Sequence, residues 1–324
     1  MSGPVTVAIP VLNGGPALEQ TLAAVSAQRF DGELELVVCD SGSRDGSAQL
    51  ARRHGAEVIE IAREQFSHGG TRNLLMERSQ GEHVALLTQD AVPADERWLS
   101  RLLAGFALAP DVGLVFGPYR PRADASPMVA RELTEWFRSL SPSGQPRIDR
   151  LERGERDLQA RVLLGQRGFF TDANGCVARS AWEQVGFREV EYAEDHALAH
   201  DMLRAGFAKV YLPRAAVIHS HEYSTWDWLR RSFDEARAMR EVYGWVEPLH
   251  RRTTTLNVWG RVGADWRWAR ATDSSAARPT SRVTLLARST MHHTARTAGA
   301  VLGARAERLT PALARRLSLE HRRD

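Results

Sequence analysis

The first 120 residues alternate between short apolar runs and segments whose apolar residues follow helical spacing. Each apolar run has the length of a strand and is bounded by a polar or glycine-containing loop. The predicted strands are 6–12, 34–39, 57–61, 83–88 and 113–116, and the predicted helices are 17–27, 47–54, 71–79 and 95–108. Repeated β-α-β units of this kind imply an α/β fold with a mostly parallel sheet covered by helices.

After residue 119 the pattern becomes less regular. The predicted helices are 128–140, 194–205 and 226–243, the predicted strands are 169–178 and 209–212, and the charged segment 151–164 could form a further helix. Residues 272–280 are rich in Ser, Ala and Pro and are typical of a linker, with two basic helices expected over 282–302 and 304–319. We therefore expect a body of residues 1–250 and a basic, mainly helical C-terminal extension of residues 251–324.

Composition indicates an ordinary soluble globular protein, with 43% hydrophobic and 26% charged residues. The two cysteines, Cys39 and Cys176, lie in separate apolar segments, which predicts buried free thiols in a reducing compartment. The N-terminus lacks the basic and apolar regions of a signal peptide, and no run of 18 apolar residues occurs. We expect a cytoplasmic location.

The charge is unevenly distributed along the chain. Residues 251–324 contain 15 Arg and 5 Asp or Glu, whereas the preceding 250 residues contain 28 basic and 35 acidic residues. A basic tail on an acidic body favours contact with an anionic partner, such as a membrane surface, a phosphate-bearing acceptor or another acidic body. A solvated helical tail is equally consistent with the charge. The tail has no aromatic residue after Trp268, which argues against nucleic-acid binding.

Two carboxylates follow predicted strands directly. Asp90 comes after the apolar run 84–88, and Asp40 ends the second strand. Open α/β sheets bind ligands at the carboxyl ends of their strands, so both residues are candidate ligand contacts. Asp40 could accept a hydrogen bond from a base or a ribose, whereas Asp45 and Ser47 are better explained as caps of the next helix.

Two glycine-containing loops precede predicted helices. Asn13-Gly14-Gly15 lets the chain turn into a helix whose free N–H groups could face a phosphate or a base. Gly69 and Gly70 precede Arg72 and could form a diphosphate-facing loop. Spacing alone favours a glycine-rich turn with a surface arginine.

Further candidates for chemistry lie in the second half of the chain. Glu194 and Asp195 suit the first turn of a helix on dipole grounds alone, but Asp195 could also act as a general base. His219 and His221 would lie on the same face of a strand. With Asp90, one of them would form an oxygen and nitrogen site for Mn²⁺ or Mg²⁺.

Six segments in this order resemble family 2 glycosyltransferases of the GT-A fold. They are Pro10-Val11-Leu12-Asn13, Asp40-Ser41-Gly42-Ser43-Arg44-Asp45-Gly46, Gly69-Gly70-Thr71-Arg72-Asn73, Gln89-Asp90-Ala91, Glu194-Asp195 and His219-Ser220-His221. Within the family, Ser67-His68-Gly69-Gly70-Thr71-Arg72-Asn73 and Thr88-Gln89-Asp90-Ala91 are similar to the bacterial rhamnosyltransferase-like branch. The resemblance covers roughly residues 4–243.

The resemblance implies inverting transfer of a sugar from a nucleotide-diphosphate donor, with dTDP-L-rhamnose as the best expectation, to a hydroxyl acceptor. It implies Asp195 as the catalytic base, Asp90 with His219 or His221 as ligands of Mn²⁺ or Mg²⁺, and Asn174, Gly175 and Glu194 on the acceptor side. The donor-binding residues that it implies are Pro10, Val11, Asn13, Asp40, Gly69, Gly70, Arg72, Gln89 and Asp90. The expected acceptor is a cell-surface glycan or a lipid-linked precursor, with the tail at the cytoplasmic membrane face or in a homodimer.

Two departures qualify this expectation. Many relatives have an acidic residue two positions before the metal-binding Asp, whereas Thr88 stands there in this chain. The Gln-x-x-Arg-Trp pattern of processive synthases is absent, which favours transfer of one sugar per encounter. The alternatives are transfer of another nucleotide sugar to a small molecule and a non-catalytic binding protein of the same fold. A nicotinamide-dependent oxidoreductase is disfavoured by the lack of G-x-G-x-x-G, and a nucleotidyltransferase by the lack of a cation in the first loop.

Overall fold

A computed structural model describes residues 4–155, 165–246, 251–271 and 281–320. The chain divides into two compact units, the first formed by Met1–Arg120 and Trp136–His219, the second by Pro121–Glu135 and Ser220–Asp324. The predicted linker 272–280 and most of the charged segment 151–164 lie outside the described residues. A short 3₁₀ turn, Arg153–Glu155, forms the described end of the charged segment.

An eight-stranded sheet forms the centre of the first unit, in the order β3-β2-β1-β4-β9-β6-β10-β8. Its strands are β1 Val5–Val11, β2 Leu34–Asp40, β3 Glu57–Glu60, β4 His83–Leu87, β6 Val112–Phe116, β8 Arg147–Asp149, β9 Asn174–Ala178 and β10 Ala208–Tyr211. Only β9 and β8 run antiparallel to their neighbours. The predicted mostly parallel sheet is confirmed. The predicted strand 169–178 is too long, because the ordered strand begins only at Asn174.

A second, three-stranded sheet has the order β5-β11-β7. Its strands are β5 Val92–Pro93, β7 Tyr119–Arg120 and β11 Val217–Ile218. The apolar and polar pattern did not predict these two-residue strands, since they are too short to show a period. They place the residues that follow β4 next to the residues that follow β11.

Helices flank the large sheet. They are α1 Gly15–Ser26, α2 Ser47–Arg53, α3 His68–Arg78, α4 Trp98–Ala104, α6 Arg179–Trp182 and α7 Glu194–Ala205, with α5 Pro127–Leu140 shared between the two units. Helix α3 begins earlier than predicted because the Ser67 side chain caps it by accepting a hydrogen bond from the Gly70 N–H at 3.1 Å. Helix α4 is shorter than predicted and continues as a 3₁₀ turn, Gly105–Leu108.

The core of the first unit lies between the sheet and these helices. Leu18, Leu22 and Val25 of α1 are buried in it, in the helical spacing that predicted this element. Cys39 and Cys176 are both buried and free, as predicted. Burial raises the pKa of the Cys39 thiol to about 11, so it stays protonated at neutral pH. Both thiols serve as small apolar side chains.

The second unit is helical. It contains α8 Thr225–Tyr243, α9 Arg251–Ala271, α10 Arg282–Gly303 and α11 Pro311–Leu317. Helix α10 packs on α8 at backbone distance: a Cβ on Gly299 would lie 2.1 Å from the Leu229 carbonyl oxygen, and one on Gly303 2.1 Å from that of Phe233. The division between the units at residue 220 differs from the expected boundary at residue 250, because α8 belongs with α10.

Helix α9 lies in the extension that was predicted to be mainly helical, but its bounds were not predicted. Its apolar residues do not fall on one face, and its buried positions include the acidic Asp265. Among the described residues, no helix is long and apolar enough to cross a membrane.

Candidate active site

The predicted site residues converge on one edge of the large sheet. Strands β1, β2 and β4 run parallel, so their carboxyl ends meet at that edge. Strand β9 runs antiparallel to β4, with Leu87 opposite Asn174. The residues just before β9 therefore reach the same edge as the residues just after β4.

Asp40 ends β2 at this edge and is buried. Its Oδ1 accepts hydrogen bonds from the Gly42 and Ser43 N–H groups at 3.0 and 2.9 Å. Its Oδ2 is buried and has no hydrogen-bond partner among the described residues. A buried carboxylate oxygen without a donor is costly, so this atom is suited to accept a hydrogen bond from a ligand.

The Asn13 loop is bonded to the loop after β2. The backbone N–H groups of Asn13, Gly14 and Gly15 donate to Ser43 Oγ, Ser47 Oγ and Asp45 Oδ2 at 2.8, 2.9 and 2.9 Å. These three amides are therefore bonded within the protein. Asn13 has a left-handed backbone, with φ 49°, and its Oδ1 accepts from the Arg44 N–H at 2.9 Å. These bonds fix the mutual position of two strand-end loops.

Gln89 joins β4 to β1. Its Oε1 accepts from the Leu12 N–H at 2.8 Å and its Nε2 donates to the Leu12 carbonyl at 3.1 Å. Ser41 makes a similar link, since its N–H and hydroxyl both donate to the Val11 carbonyl. Pro10 and Val11 lie within β1 itself. Gln89 and Ser41 thus fix the backbone at the carboxyl end of β1 through these hydrogen bonds.

Asp90 lies beside His219. The Thr88 hydroxyl donates to Asp90 Oδ1 at 3.1 Å, and His219 Nδ1 lies 3.5 Å from that oxygen. Two ligands on an octahedral cation at ~2.1 Å would be about 3 Å apart, so small side-chain rotations would bring this pair onto one ion. Thr88 thus supports the Asp90 carboxylate from the position where many relatives have an acidic residue. His221, the other predicted ligand, belongs to the second unit.

Arg72 lies under the site and is 4% exposed. Its Nε forms an ion pair with Asp172, its Nη1 lies 3.0 Å from Glu194 Oε1, and Nη1 also donates to the His68 carbonyl at 3.1 Å. Burial alone would lower the pKa of Arg72, but the Asp172 and Glu194 carboxylates hold it above its ordinary value. The sequence did not predict these partners.

Gly69 and Gly70 begin α3 where there is no room for a side chain. A Cβ on Gly69 would lie 2.0 Å from the Arg188 carbonyl oxygen, and one on Gly70 2.5 Å from Ser67 Oγ. Glycine at both positions lets α3 approach the segment before α7. This approach brings Arg72 against Glu194.

Asp195 is partly buried in the first turn of α7, and its Oδ1 accepts a hydrogen bond from the His196 N–H at 2.7 Å. Burial, followed by the charge of the nearby Asp172, raises the pKa of Asp195 above its ordinary value. Burial likewise raises the pKa of Asp172, although Arg72 opposes the shift. Three carboxylates, Asp172, Glu194 and Asp195, thus surround one guanidinium. A carboxylate in this setting is tuned toward proton uptake near neutral pH.

Asn174 and Gly175 are the first two residues of β9, inside the large sheet. Asn174 is 0% exposed: its Oδ1 accepts from Trp98 Nε1 at 2.7 Å, and its Nδ2 donates to the Pro118 and Ala215 carbonyls at 3.1 and 2.8 Å. A Cβ on Gly175 would lie 2.5 Å from the Phe170 ring. Both residues hold neighbouring elements together, and their contact with an acceptor stays a prediction.

Sequence reasoning missed the roles of Asp172 and Tyr119. The Tyr119 hydroxyl bonds to Thr171, and its ring packs edge-on against His219 with centroids 4.9 Å apart. Tyr119 therefore joins the Asp90 side of the site to the Asp172 side. An acidic residue inside the otherwise mainly apolar segment 169–178 was the signal that could have singled out Asp172.

Comparisons with known proteins agree with this geometry. A model described as Glycosyl transferase family 2 matches residues 6–186. The chain is 30% identical over 235 residues to the O-antigen chain rhamnosyltransferase RfbN of Salmonella typhimurium, covering 71% of this chain and 70% of that protein. It is 28% identical over 234 residues to the O-antigen chain rhamnosyltransferase WbaN of Salmonella anatum, with coverage of 71% and 70%.

Solved structures show the same fold. The mannosyltransferase PcManGT from Pyrobaculum calidifontis, in complex with GDP-Man and Mn²⁺, has a TM-score of 0.60 at 18% identity and is matched over 92% of this chain and 86% of its own. The glucosyl-3-phosphoglycerate synthase from Mycobacterium tuberculosis, in complex with phosphoglyceric acid, has a TM-score of 0.51 at 20% identity, with coverage of 76% and 82%. The fold is GT-A, and by its sequence this chain belongs to glycosyl transferase family 2.

Proposed function

We propose that the protein transfers one sugar, with inversion, from a nucleotide-diphosphate donor to a hydroxyl acceptor, and that Asp195 is the base. The observation that carries the proposal is the partly buried Asp195 carboxylate with a raised pKa at the sheet edge that also bears Asp40 and Asp90. A carboxylate of this kind can take the proton of a hydroxyl as that hydroxyl attacks an anomeric carbon.

The donor would lie along the ends of β2, β1 and β4. Asp40 Oδ2 would accept a hydrogen bond from the nucleoside. This buried oxygen has no hydrogen-bond partner among the described residues. Asp90 and His219 would hold Mn²⁺ or Mg²⁺ next to the diphosphate. The chemistry that such a cation supplies is neutralisation of the charge that develops on the departing diphosphate.

In this scheme Arg72 would position the catalytic base, Asp195. Its guanidinium bonds Asp172, whose carboxylate lies near Asp195, and Glu194, which precedes Asp195 on α7. Arg72 would therefore fix the orientation of Asp195, and a contact of Arg72 with the diphosphate is the competing proposal.

The donor sugar and the acceptor are proposed from the relatives. Both Salmonella proteins are named O-antigen chain rhamnosyltransferases, which favours L-rhamnose from dTDP-L-rhamnose and a cell-surface glycan or its lipid-linked precursor as acceptor. A different nucleotide sugar and a small-molecule acceptor form the second candidate, since the structural relative PcManGT was solved with GDP-Man.

Nucleoside diphosphates test the donor site. We expect one of UDP, dTDP and GDP to raise the unfolding temperature in the presence of Mn²⁺ or Mg²⁺, because a ligand that binds only the folded state stabilises it by about 2.7 kcal/mol at 100 times its Kd. Asp90→Ala should abolish the metal-dependent part of this response. The measurement is thermal unfolding of both proteins with each diphosphate, with and without metal.

The matched control is Asp31→Ala, which removes an exposed carboxylate just before the start of β2, at the opposite end of that strand from Asp40. It should respond like the wild type. An equal metal-dependent response in Asp90→Ala would remove Asp90 from the site, and silence from every diphosphate would remove the donor proposal.

The second unit would attach to an anionic membrane surface. On α9, Leu256 and Trp259 are 62% and 60% exposed, one helical turn apart, and Arg261 is also exposed. Exposed Trp and Leu next to Arg are typical of helices that lie at the surface of anionic lipids. A second copy of the chain is the other candidate occupant of this surface.

Vesicle co-sedimentation tests this attachment. We expect the full chain to bind phosphatidylglycerol-containing vesicles more than pure phosphatidylcholine vesicles, and Leu256→Ser/Trp259→Ser to lose most of that difference. Point variants are preferable to truncation at residue 250, because removing α10 would expose the face of α8 on which it packs. Leu108→Ser changes an equally apolar residue, 44% exposed in the first unit, and should bind normally. Unchanged binding by the double variant would contradict the proposal, and a doubled mass in solution would favour the second copy.

A further inference from the structure

A cluster of titratable side chains lies inside the second unit, separate from the residues of the proposed transfer reaction. It consists of Glu132 on α5, Asp265 on α9, and His292 and His293 on α10. Asp265 and His293 are both 0% exposed, and His292 is buried as well. These four residues are called the helix cluster below.

The proton positions in the helix cluster follow from Asp265. This carboxylate accepts hydrogen bonds from Arg131 Nε, Ser289 Oγ and His293 Nε2 at 2.5, 2.5 and 2.7 Å. The proton between Asp265 and His293 therefore lies on Nε2, and a neutral His293 has a lone pair on Nδ1.

The Nδ1 atom of His293 is left without a partner. It is buried, has no hydrogen bond to any described residue, and lies 3.6 Å from Glu132 Oε1. With the proton on Nε2, two acceptors face each other across this gap. An arrangement of that kind is unfavourable unless a cation lies between them or the imidazole takes up a second proton.

His292 is the third potential metal ligand of the helix cluster. Its Nε2 lies 3.2 Å from Glu132 Oε2, and one ligand atom from each of Glu132, His292 and His293 lies within 4.8 Å of the others. Ligands at ~2.1 Å on a tetrahedral zinc ion are about 3.4 Å apart, so small side-chain rotations would bring these three ligand atoms onto one ion. The bond from Asp265 to the outer nitrogen of His293 is the support that metal-binding histidines usually have.

The charges around the helix cluster leave room for a cation. Arg131 and Arg296 are balanced by Glu132, Asp265 and the more exposed Glu135, which leaves one net negative charge when both imidazoles are neutral. Glu132 Oε2 accepts a hydrogen bond from Arg296 Nη1, whereas its Oε1 faces His293 Nδ1.

We propose that Glu132, His292 and His293 form a second metal site that binds a divalent ion of the zinc class and joins α5 to α10. Asp265 connects the site to α9 by orienting His293. The role is structural, because the ligands are buried in a helical packing interface. Two imidazoles and one carboxylate suit Zn²⁺ better than Mg²⁺, which prefers oxygen ligands and retained water. The site does not depend on the proposed transfer reaction.

Zinc uptake by the full-length protein tests the proposal. The Asp90→Ala background removes the candidate site of the first unit, so that bound zinc reports the helix cluster. After exposure to Zn²⁺ and dialysis, Asp90→Ala should retain one zinc per chain by elemental analysis, and its unfolding temperature should rise with Zn²⁺. The Asp90→Ala variant keeps all residues of the helix cluster. If it failed to retain zinc, the proposal would be overturned.

Substitutions in the cluster localise the ion. Asp90→Ala/His293→Gln and Asp90→Ala/His292→Gln should each lose the zinc, with helix content checked by circular dichroism, whereas Asp90→Ala/His54→Gln should keep it. His54 is a partly exposed histidine on the first unit whose ring nitrogen lies 3.4 Å from Ser26 Oγ. Zinc retained by both cluster variants would also overturn the proposal. Either failure would leave the diphosphate response described above unchanged, so the two proposals can fail separately.

Discussion

Asp195→Asn is expected to lose transfer activity by about 10² to 10⁴ while still binding the donor, because an amide cannot accept the acceptor's proton. The substitution preserves the size of the side chain and keeps an oxygen to accept the hydrogen bond from the His196 N–H. The measurement is the initial rate of sugar transfer with the donor whose diphosphate stabilises the protein. Thermal stabilisation by that diphosphate reports binding separately.

Glu183→Gln provides the matched control, since it converts an exposed carboxylate near α6 to an amide and should leave the rate near that of the wild type. The pH profile of the wild type is a second check. Since burial and Asp172 raise the pKa of Asp195, activity should fall on acidification at a higher pH than an ordinary aspartate would give. Near wild-type transfer by Asp195→Asn would show that another group takes the proton.

Arg72→Met is expected to lower the free energy of unfolding by about 3–5 kcal/mol, because it leaves the buried Asp172 and Glu194 carboxylates without their cation. Denaturant unfolding of the purified variant measures the loss. Arg72→Lys should recover only part of it, since one ammonium group cannot reproduce the fork that reaches two carboxylates and the His68 carbonyl.

The same measurement on Arg52→Met controls for loss of an arginine ion pair at the surface, where Arg52 pairs with the exposed Glu60. That variant should change stability by less than about 1 kcal/mol. The competing role of Arg72 gives a different pattern. If Arg72 mainly held the diphosphate, Arg72→Met would fold with near wild-type stability and would lose the thermal response to the nucleoside diphosphate.

Local signals predicted the parts of the site that lie at element ends. Asp40 and Asp90 follow apolar strands, and Glu194 begins α7 where the sequence indicated. In each case the signal is a change from apolar to polar residues within a few positions, which depends on the chain's immediate neighbours alone. The order of such signals was also enough to indicate the family.

Contacts between distant segments could not be predicted in the same way. Arg72 and Asp172 are 100 positions apart, and no periodicity connects them. Helix α9 illustrates the same limit: its stability comes from packing and from the buried bonds of Asp265 to Arg131, Ser289 and His293. In the local sequence, Asp265 is only an acidic residue between apolar ones, and this pattern does not favour a buried helix.

Sequence patterns were sufficient to predict the α/β class, most strands and helices of the first unit, and the strand-end carboxylates, because these features depend on short-range periodicity and on the residues at the ends of each element. The folded structure was needed to find that Arg72 pairs with Asp172 and Glu194, that Asn174 is bonded inside the sheet, and that α8 packs with α10. The partners of a buried charge depend on which segments the fold brings together. That choice is made by the burial of apolar surface across the whole chain, which no local pattern contains.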